Sequence, residues 1–144
     1  MALIAKESTR DAKEGTREAK ARPAAGRKIL IVDDSPTERF FLADLLSKRG
    51  YVVVTAENGE EALLKVRSEK PSLVVMDVVM PGTSGFQATR TIARDPSTAG
   101  IPVILCTSKG AESDRVWGLR QGAKEYIVKP VNPEELLAKI ASLA

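Results

Sequence analysis

Ser72-Leu73-Val74-Val75-Met76-Asp77 is an apolar run that ends on a carboxylate. Pro71 stands before it, and Met80-Pro81-Gly82 follows shortly after. An unbroken apolar run of this length, punctuated on both sides, predicts a strand buried on both faces; a strand with one wet face would alternate. Asp77 then falls at the carboxyl-terminal edge of its strand, which in open α/β sheets is where ligands bind. Three further runs have the same form. Lys28-Ile29-Leu30-Ile31-Val32 leads to Asp33 and Asp34, Pro102-Val103-Ile104-Leu105-Cys106 leads to Thr107, and Tyr126-Ile127-Val128 leads to Lys129. Four strand ends thus present three acids, one hydroxyl and one amine.

Helix signals fill the gaps between these runs. Ser35-Pro36-Thr37-Glu38 supplies an N-cap, a proline for the first helical position and a first-turn acid. The helix that follows carries Phe40, Phe41, Leu42, Leu45 and Leu46 and stops at Gly50. Tyr51 to Ala56 is a β-branched strand, and Asn58 caps a helix with Ala62, Leu63 and Val66 on one face. Gly85-Phe86 opens a helix with Ala88, Ile92 and Ala93, and a weaker one is predicted from about Ser113 to Gln121. Gly118 and Gly122 make that weaker helix marginal, and its Trp117 is either a core side chain or an exposed contact. Asn132-Pro133-Glu134-Glu135 begins the last helix, with Leu136, Leu137 and Ile140. The pattern is a βα unit five times over, which implies an α/β fold with parallel strands and right-handed crossovers.

The chain of 144 residues has room for one domain of ordinary size. Its hydrophobic share of 43% and charged share of 28% suit a soluble globular protein, and no apolar stretch approaches the roughly 18 residues of a membrane span. Met1-Ala2-Leu3-Ile4-Ala5 meets charge at Lys6 too soon for a secretory signal, so cytoplasmic location and no membrane insertion are expected. A single cysteine, Cys106, excludes an internal disulfide and reads as a small core side chain. With no histidine, histidine catalysis and histidine metal ligation are excluded. The net charge of +3 is a property of the amino-terminal part: residues 1–28 hold eight Lys/Arg against four Asp/Glu, and residues 29–144 hold fourteen against fifteen. The body therefore shows no basic cluster for nucleic acid. Residues 1–26 carry a seven-residue repeat with only alanine as its recurring apolar residue, too little for a coiled coil. They read as a solvated extension or, in a sharper reading, a docking helix, and 27–144 as the folded domain.

If the first, third, fourth and fifth strands are neighbours, Asp33, Asp34, Asp77, Thr107 and Lys129 converge. Three carboxylates in one cleft repel each other, so a cation must accompany them. With no histidine or thiolate beside them, the hard ions Mg²⁺ or Mn²⁺ fit the donor set. A metal and an ammonium facing a carboxylate and a hydroxyl are equipped for phosphoryl transfer, with an aspartate as nucleophile. Taken without relatives, Lys129 could also snorkel at a strand end, and Tyr126 could be an ordinary half-buried strand aromatic.

Val32-Asp33-Asp34-Ser35, Met76-Asp77-Val78-Val79-Met80-Pro81-Gly82-Thr83-Ser84-Gly85, Thr107-Ser108 and Val128-Lys129-Pro130 together resemble the receiver domain of two-component response regulators. The resemblance spans about residues 27–144. It implies a flavodoxin-like, doubly wound parallel five-stranded sheet of order 2-1-3-4-5, an example the chemotaxis member of this family already provides. It implies that Asp77 accepts a phosphoryl group from a histidine kinase and that Asp34, Asp77 and the backbone carbonyl of Val79 bind Mg²⁺, with Asp33 acting through water. Lys129 would contact the phosphoryl group and precede a cis proline, Thr107 would swing toward the phosphoryl oxygens, and Tyr126 would rotate inward. The surface of the fourth helix, fifth strand and fifth helix would then change shape. Segments such as Gly85-Phe86-Gln87-Ala88-Thr89-Arg90 and Val116-Trp117-Gly118-Leu119-Arg120-Gln121-Gly122-Ala123 resemble PilH-type regulators of type IV pilus chemosensory systems.

The leading expectation is a stand-alone regulator, monomeric or weakly dimeric, that answers to a CheA-like kinase. It would either act on an output protein such as the pilus machinery or serve as a phosphate sink, and is not otherwise an enzyme. The alternatives are a general chemotaxis-type or other single-domain regulator, a Mg²⁺-dependent phosphatase of small substrates, and an adaptor that works through residues 1–26.

Overall fold

The computed structural model describes residues 26–144; the expectations for the extension fall on residues 1–25, outside the described residues. Five strands alternate with five helices: β1 (Lys28–Val32), α1 (Pro36–Ser47), β2 (Val52–Ala56), α2 (Gly59–Glu69), β3 (Leu73–Met76), α3 (Gly85–Arg94), β4 (Val103–Thr107), α4 (Glu112–Arg120), β5 (Glu125–Val128) and α5 (Pro133–Leu143). The strands form one parallel sheet of order β2-β1-β3-β4-β5, as the resemblance implied.

The caps expected from the sequence close the helices they precede. Ser35 accepts the Glu38 N–H at 3.3 Å, with Pro36 at the first helical position. Asn58 accepts from Glu61 at 2.8 Å and Asn132 from Glu135 at 3.1 Å. Ser84 and Gln87 exchange side-chain bonds in a capping box at the start of α3. Among the described helices, only α4 begins without a side-chain cap, at Ala111, and Gly118 is its one fully buried residue.

Period-two alternation along the strands builds two cores, one on each sheet face. Leu30, Val32, Val74, Met76, Val103 and Leu105 face Ala62 and Val66 of α2 and Ala88 and Ile92 of α3. Ile29, Ile31, Leu73, Val75, Ile104, Cys106 and Ile127 face Leu42 and Leu46 of α1 and Leu136, Leu137 and Ile140 of α5. Every residue of β3 is buried, because helices cover both of its faces and strands flank both of its edges. At the sheet edge, β2 starts at Val52 rather than Tyr51, and Val52 is exposed.

Two apolar stretches are less buried than their composition suggests. On α1 the 3.6-residue period turns Leu42 and Leu46 to the sheet and carries Phe40 and Phe41 outward; Phe40 is 73% exposed. On α4, Trp117 is 49% exposed, so it is a surface side chain rather than a core one.

Cys106 lies within β4 with its thiol enclosed, and burial pushes its pKa up to about 12. A thiol reagent at pH 8 should therefore modify the native protein only through opening events. We expect labelling roughly 10³-fold or more slower than in denaturant. Native labelling at the denatured rate would show that β4 is not closed over by α1 and α5.

Candidate functional site

Parallel pairing brings every strand's carboxyl end to the same edge of the sheet. The β1–β3 register sets Val32 opposite Met76, and the Asp77 N–H donates to the Val32 carbonyl at 2.9 Å, so Asp33 and Asp77 leave the sheet side by side. On the other flank Thr107 pairs with Val128, and the Lys129 N–H donates to the Thr107 carbonyl at 2.8 Å. Topology alone thus gathers residues far apart in the chain into one cleft.

Carboxylate oxygens of Asp33, Asp34 and Asp77 lie within 4.8 Å of one another. Asp33 and Asp77 are buried, while Asp34 is exposed. Asp33 is fixed from three directions. Its Oδ1 accepts the Ser35 N–H at 2.9 Å, its Oδ2 accepts the Lys129 ammonium at 2.9 Å, and its backbone carbonyl accepts the Arg39 guanidinium at 2.7 Å. Asp77 uses Oδ1 to accept the Val78 N–H at 2.7 Å, and its Oδ2 stands 3.6 Å from the Lys129 ammonium. One oxygen of Asp77 is therefore held by its own loop, and the other faces a positive charge. Glu38 Oε1 also approaches Lys129, at 3.7 Å. Burial by itself works to lower the pKa of Lys129, but the bond to Asp33 and the charges of Asp77, Asp33 and Glu38 outweigh it and leave the pKa raised. The ammonium is a permanent feature of the cleft near neutral pH.

The remaining predicted residues surround this core. Thr107 is buried, and its Oγ1 accepts the Lys109 N–H at 3.3 Å. Tyr126 is already on the inside: its ring is buried and its hydroxyl donates to the Lys109 carbonyl at 2.7 Å. Burial, then the charges of Asp114 and Asp77, push its pKa up to about 12. Val79, two residues past Asp77, is exposed, and the Lys129–Pro130 peptide is cis. Sequence reasoning missed Glu38, Arg39 and Lys109 as members of the site. For Glu38 a signal existed: the first turn of α1 begins two residues after Asp34, so its acid has to lie near the same loop.

Three carboxylates and no nitrogen or sulfur donor make an all-oxygen set, which fits a hard divalent cation. Residues 29–141 match the family described as the response regulator receiver domain.

The chain belongs to the response regulator receiver family.

Among its relatives, the protein PilH of Pseudomonas aeruginosa is 54% identical over 113 residues, spanning 78% of this chain and 93% of PilH. The phosphate regulon regulator PhoB of the same species is 41% identical over 118 residues, but the match spans only 52% of PhoB. Among solved structures, the chemotaxis protein CheY4 of Vibrio cholerae superposes with a TM-score of 0.78 at 32% identity, covering 83% of this receiver and all of that chain.

Gly85 packs directly against the backbone of Asp77 and Val78. Its nitrogen donates to the Val78 carbonyl at 2.9 Å, and a Cβ there would collide with the Asp77 carbonyl oxygen and come within 2.8 Å of Val78 Cα. Gly→Ala inside a helix ordinarily stabilises by about 1 kcal/mol. Gly85→Ala should instead destabilise by roughly 2–4 kcal/mol, read as a lowered urea midpoint at unchanged m-value. An unchanged or raised midpoint would refute the contact.

Proposed function

We propose that the chain is a phosphorylation-controlled regulator in which Asp77 accepts a phosphoryl group from a CheA-like histidine kinase, in a system governing type IV pilus motility. The observation that carries the first half is the free Oδ2 of Asp77, 3.6 Å from an ammonium that is itself locked to Asp33 at 2.9 Å. The second half is supported by the relative PilH, whose length this chain nearly spans.

In this reading Asp77 Oδ2 attacks phosphorus on a phosphohistidine. A P–O bond forms as the P–N bond breaks, and the imidazole leaves with the electron pair and takes up a proton. The Lys129 ammonium faces the incoming phosphoryl oxygens and neutralises charge that builds on them. Asp33, Asp34, Asp77 and the Val79 carbonyl would hold Mg²⁺ (or Mn²⁺), which when bound supplies a Lewis acid against those same oxygens. The Thr107 hydroxyl exchanges its bond to Lys109 for one to the phosphoryl group. Lys109 also holds the Tyr126 hydroxyl, so that exchange is felt at once on β5 and α4. The surface of α4, β5 and α5 would then bind or release an output protein, or the receiver would drain phosphoryl groups from the shared kinase. This reading puts the chain in the bacterial cytoplasm with its kinase.

Phosphotransfer from a purified CheA-like kinase in Mg²⁺ tests it. Wild type should take the label, Asp77→Asn should take at least roughly 100-fold less, and chelation of the metal should suppress transfer to wild type. Equal labelling of wild type and Asp77→Asn would sink the assignment of the acceptor.

A further inference from the structure

The loop from Val78 to Ser84 carries the Val79 carbonyl and is held at few points; near Asp77, the Val78 and Val79 N–H groups donate to Asp77 Oδ1 at 2.7 and 3.4 Å. Gly85 bonds Val78 at one end, Ser84 pairs with Gln87 at the other, and the Met80 side chain is buried beneath. Between these, the polar groups of Thr83 both go to one partner on a different element. The Thr83 N–H donates to Glu60 Oε2 at 3.2 Å, and the Thr83 hydroxyl donates to the same oxygen at 2.8 Å. Glu60 is on the first turn of α2, on the sheet face shared with α3. The backbones also meet closely: a Cβ on Gly59 would come within 2.6 Å of the Thr83 carbonyl oxygen. Gly82, at φ +74°, leaves the space its own Cβ would need to the Glu60 carboxylate, 2.9 Å away.

We propose that Glu60 is a positioning residue: its carboxylate clamps Thr83 and so holds the loop that carries Val79, whose carbonyl would meet a divalent cation bound at Asp77. It touches neither the cation nor the phosphoryl group. It acts through the loop, and the inference rests on reading the site as a Mg²⁺-dependent phosphoacceptor. The alternative role for an exposed acid near the cleft is simple attraction of a cation through space. The two roles separate by chemistry, because the clamp needs an oxygen acceptor at this position and attraction needs a charge. Hydrogen bonding by Thr83 first, with backbone N–H donors after it, keeps the Glu60 carboxyl below the usual carboxylate range.

The test uses Mg²⁺ alone as ligand, with calorimetric titration of wild type, Glu60→Ala, Glu60→Gln and Thr83→Val, followed by amide exchange at Thr83. Glu60→Ala should weaken Mg²⁺ binding about 3- to 10-fold and speed Thr83 exchange by a similar factor or more, while maximal phosphorylation at saturating Mg²⁺ stays within about twofold of wild type. Glu60→Gln keeps the acceptor and loses the charge, so it should stay near wild type in both readouts. Thr83→Val keeps the charge and loses a donor, so it should fall toward Glu60→Ala. Glu60→Gln as weak as Glu60→Ala would overturn the clamp in favour of attraction. Mg²⁺ affinity unchanged in Glu60→Ala would overturn it outright. A wild type that binds no Mg²⁺ would overturn the parent reading and this one together, a result distinct from wild type and variant binding alike.

Discussion

The Lys129–Asp33 ion pair is the contact on which the rest of the site depends. Asp33 is almost wholly buried, and a buried carboxylate without a partner costs several kcal/mol. Lys129 supplies that partner at 2.9 Å from the far side of the sheet. The pairing is not a stability device in itself, because two desolvated charges roughly break even. Its value is positional. With Asp33 fixed, the ammonium stands 3.6 Å from Asp77 and 3.7 Å from Glu38, so one cation offsets a cluster of acids that would otherwise push the loops apart. The pair also spans 96 residues of sequence, and only the β1-β3-β4-β5 ordering lets it form.

That ordering is why the site is legible in the amino-acid sequence. Strands buried on both faces must be apolar along their length, so the first polar residue after each run marks the sheet edge: Asp33 after β1, Asp77 after β3, Lys129 after β5. Because the strands are parallel, each of those residues emerges at the same edge. Alternation of strand and helix can be counted from sequence, but which strand neighbours which cannot, since a buried run carries no mark of its partner. The order came from resemblance to a family and is met in the sheet.

What sequence could not supply is of two kinds. Side chains that act at a distance from the strand ends, such as Arg39 and Glu60, sit on helix first turns, where an acid or base is ordinary and its partner is set by loop geometry. Burial on a marginal helix is likewise invisible, since Trp117 of α4 is apolar by composition and exposed in the fold. An apolar residue can be assigned to a core only when the helix period is firmly anchored, as Leu42 and Leu46 anchor α1. On α4 only Gly118 is fully buried, and the period has nothing to lock onto.

The weakness of α4 follows from the same magnitudes that govern the proposed switch. A hydroxyl exchanging one hydrogen-bond partner for another changes free energy by roughly 1–3 kcal/mol when the new partner is charged. An element that responds to so small a change has to be held by comparably little. α4 meets that condition, with no side-chain cap, one buried residue and an exposed tryptophan. α1 and α5, with two and three buried apolar side chains and capped starts, do not. Thr107 and Tyr126 share Lys109, the one through its N–H and the other through its carbonyl, and Lys109 lies three residues before α4 begins. In the proposed switch, the pull of a single hydroxyl would therefore reach the element least able to resist it.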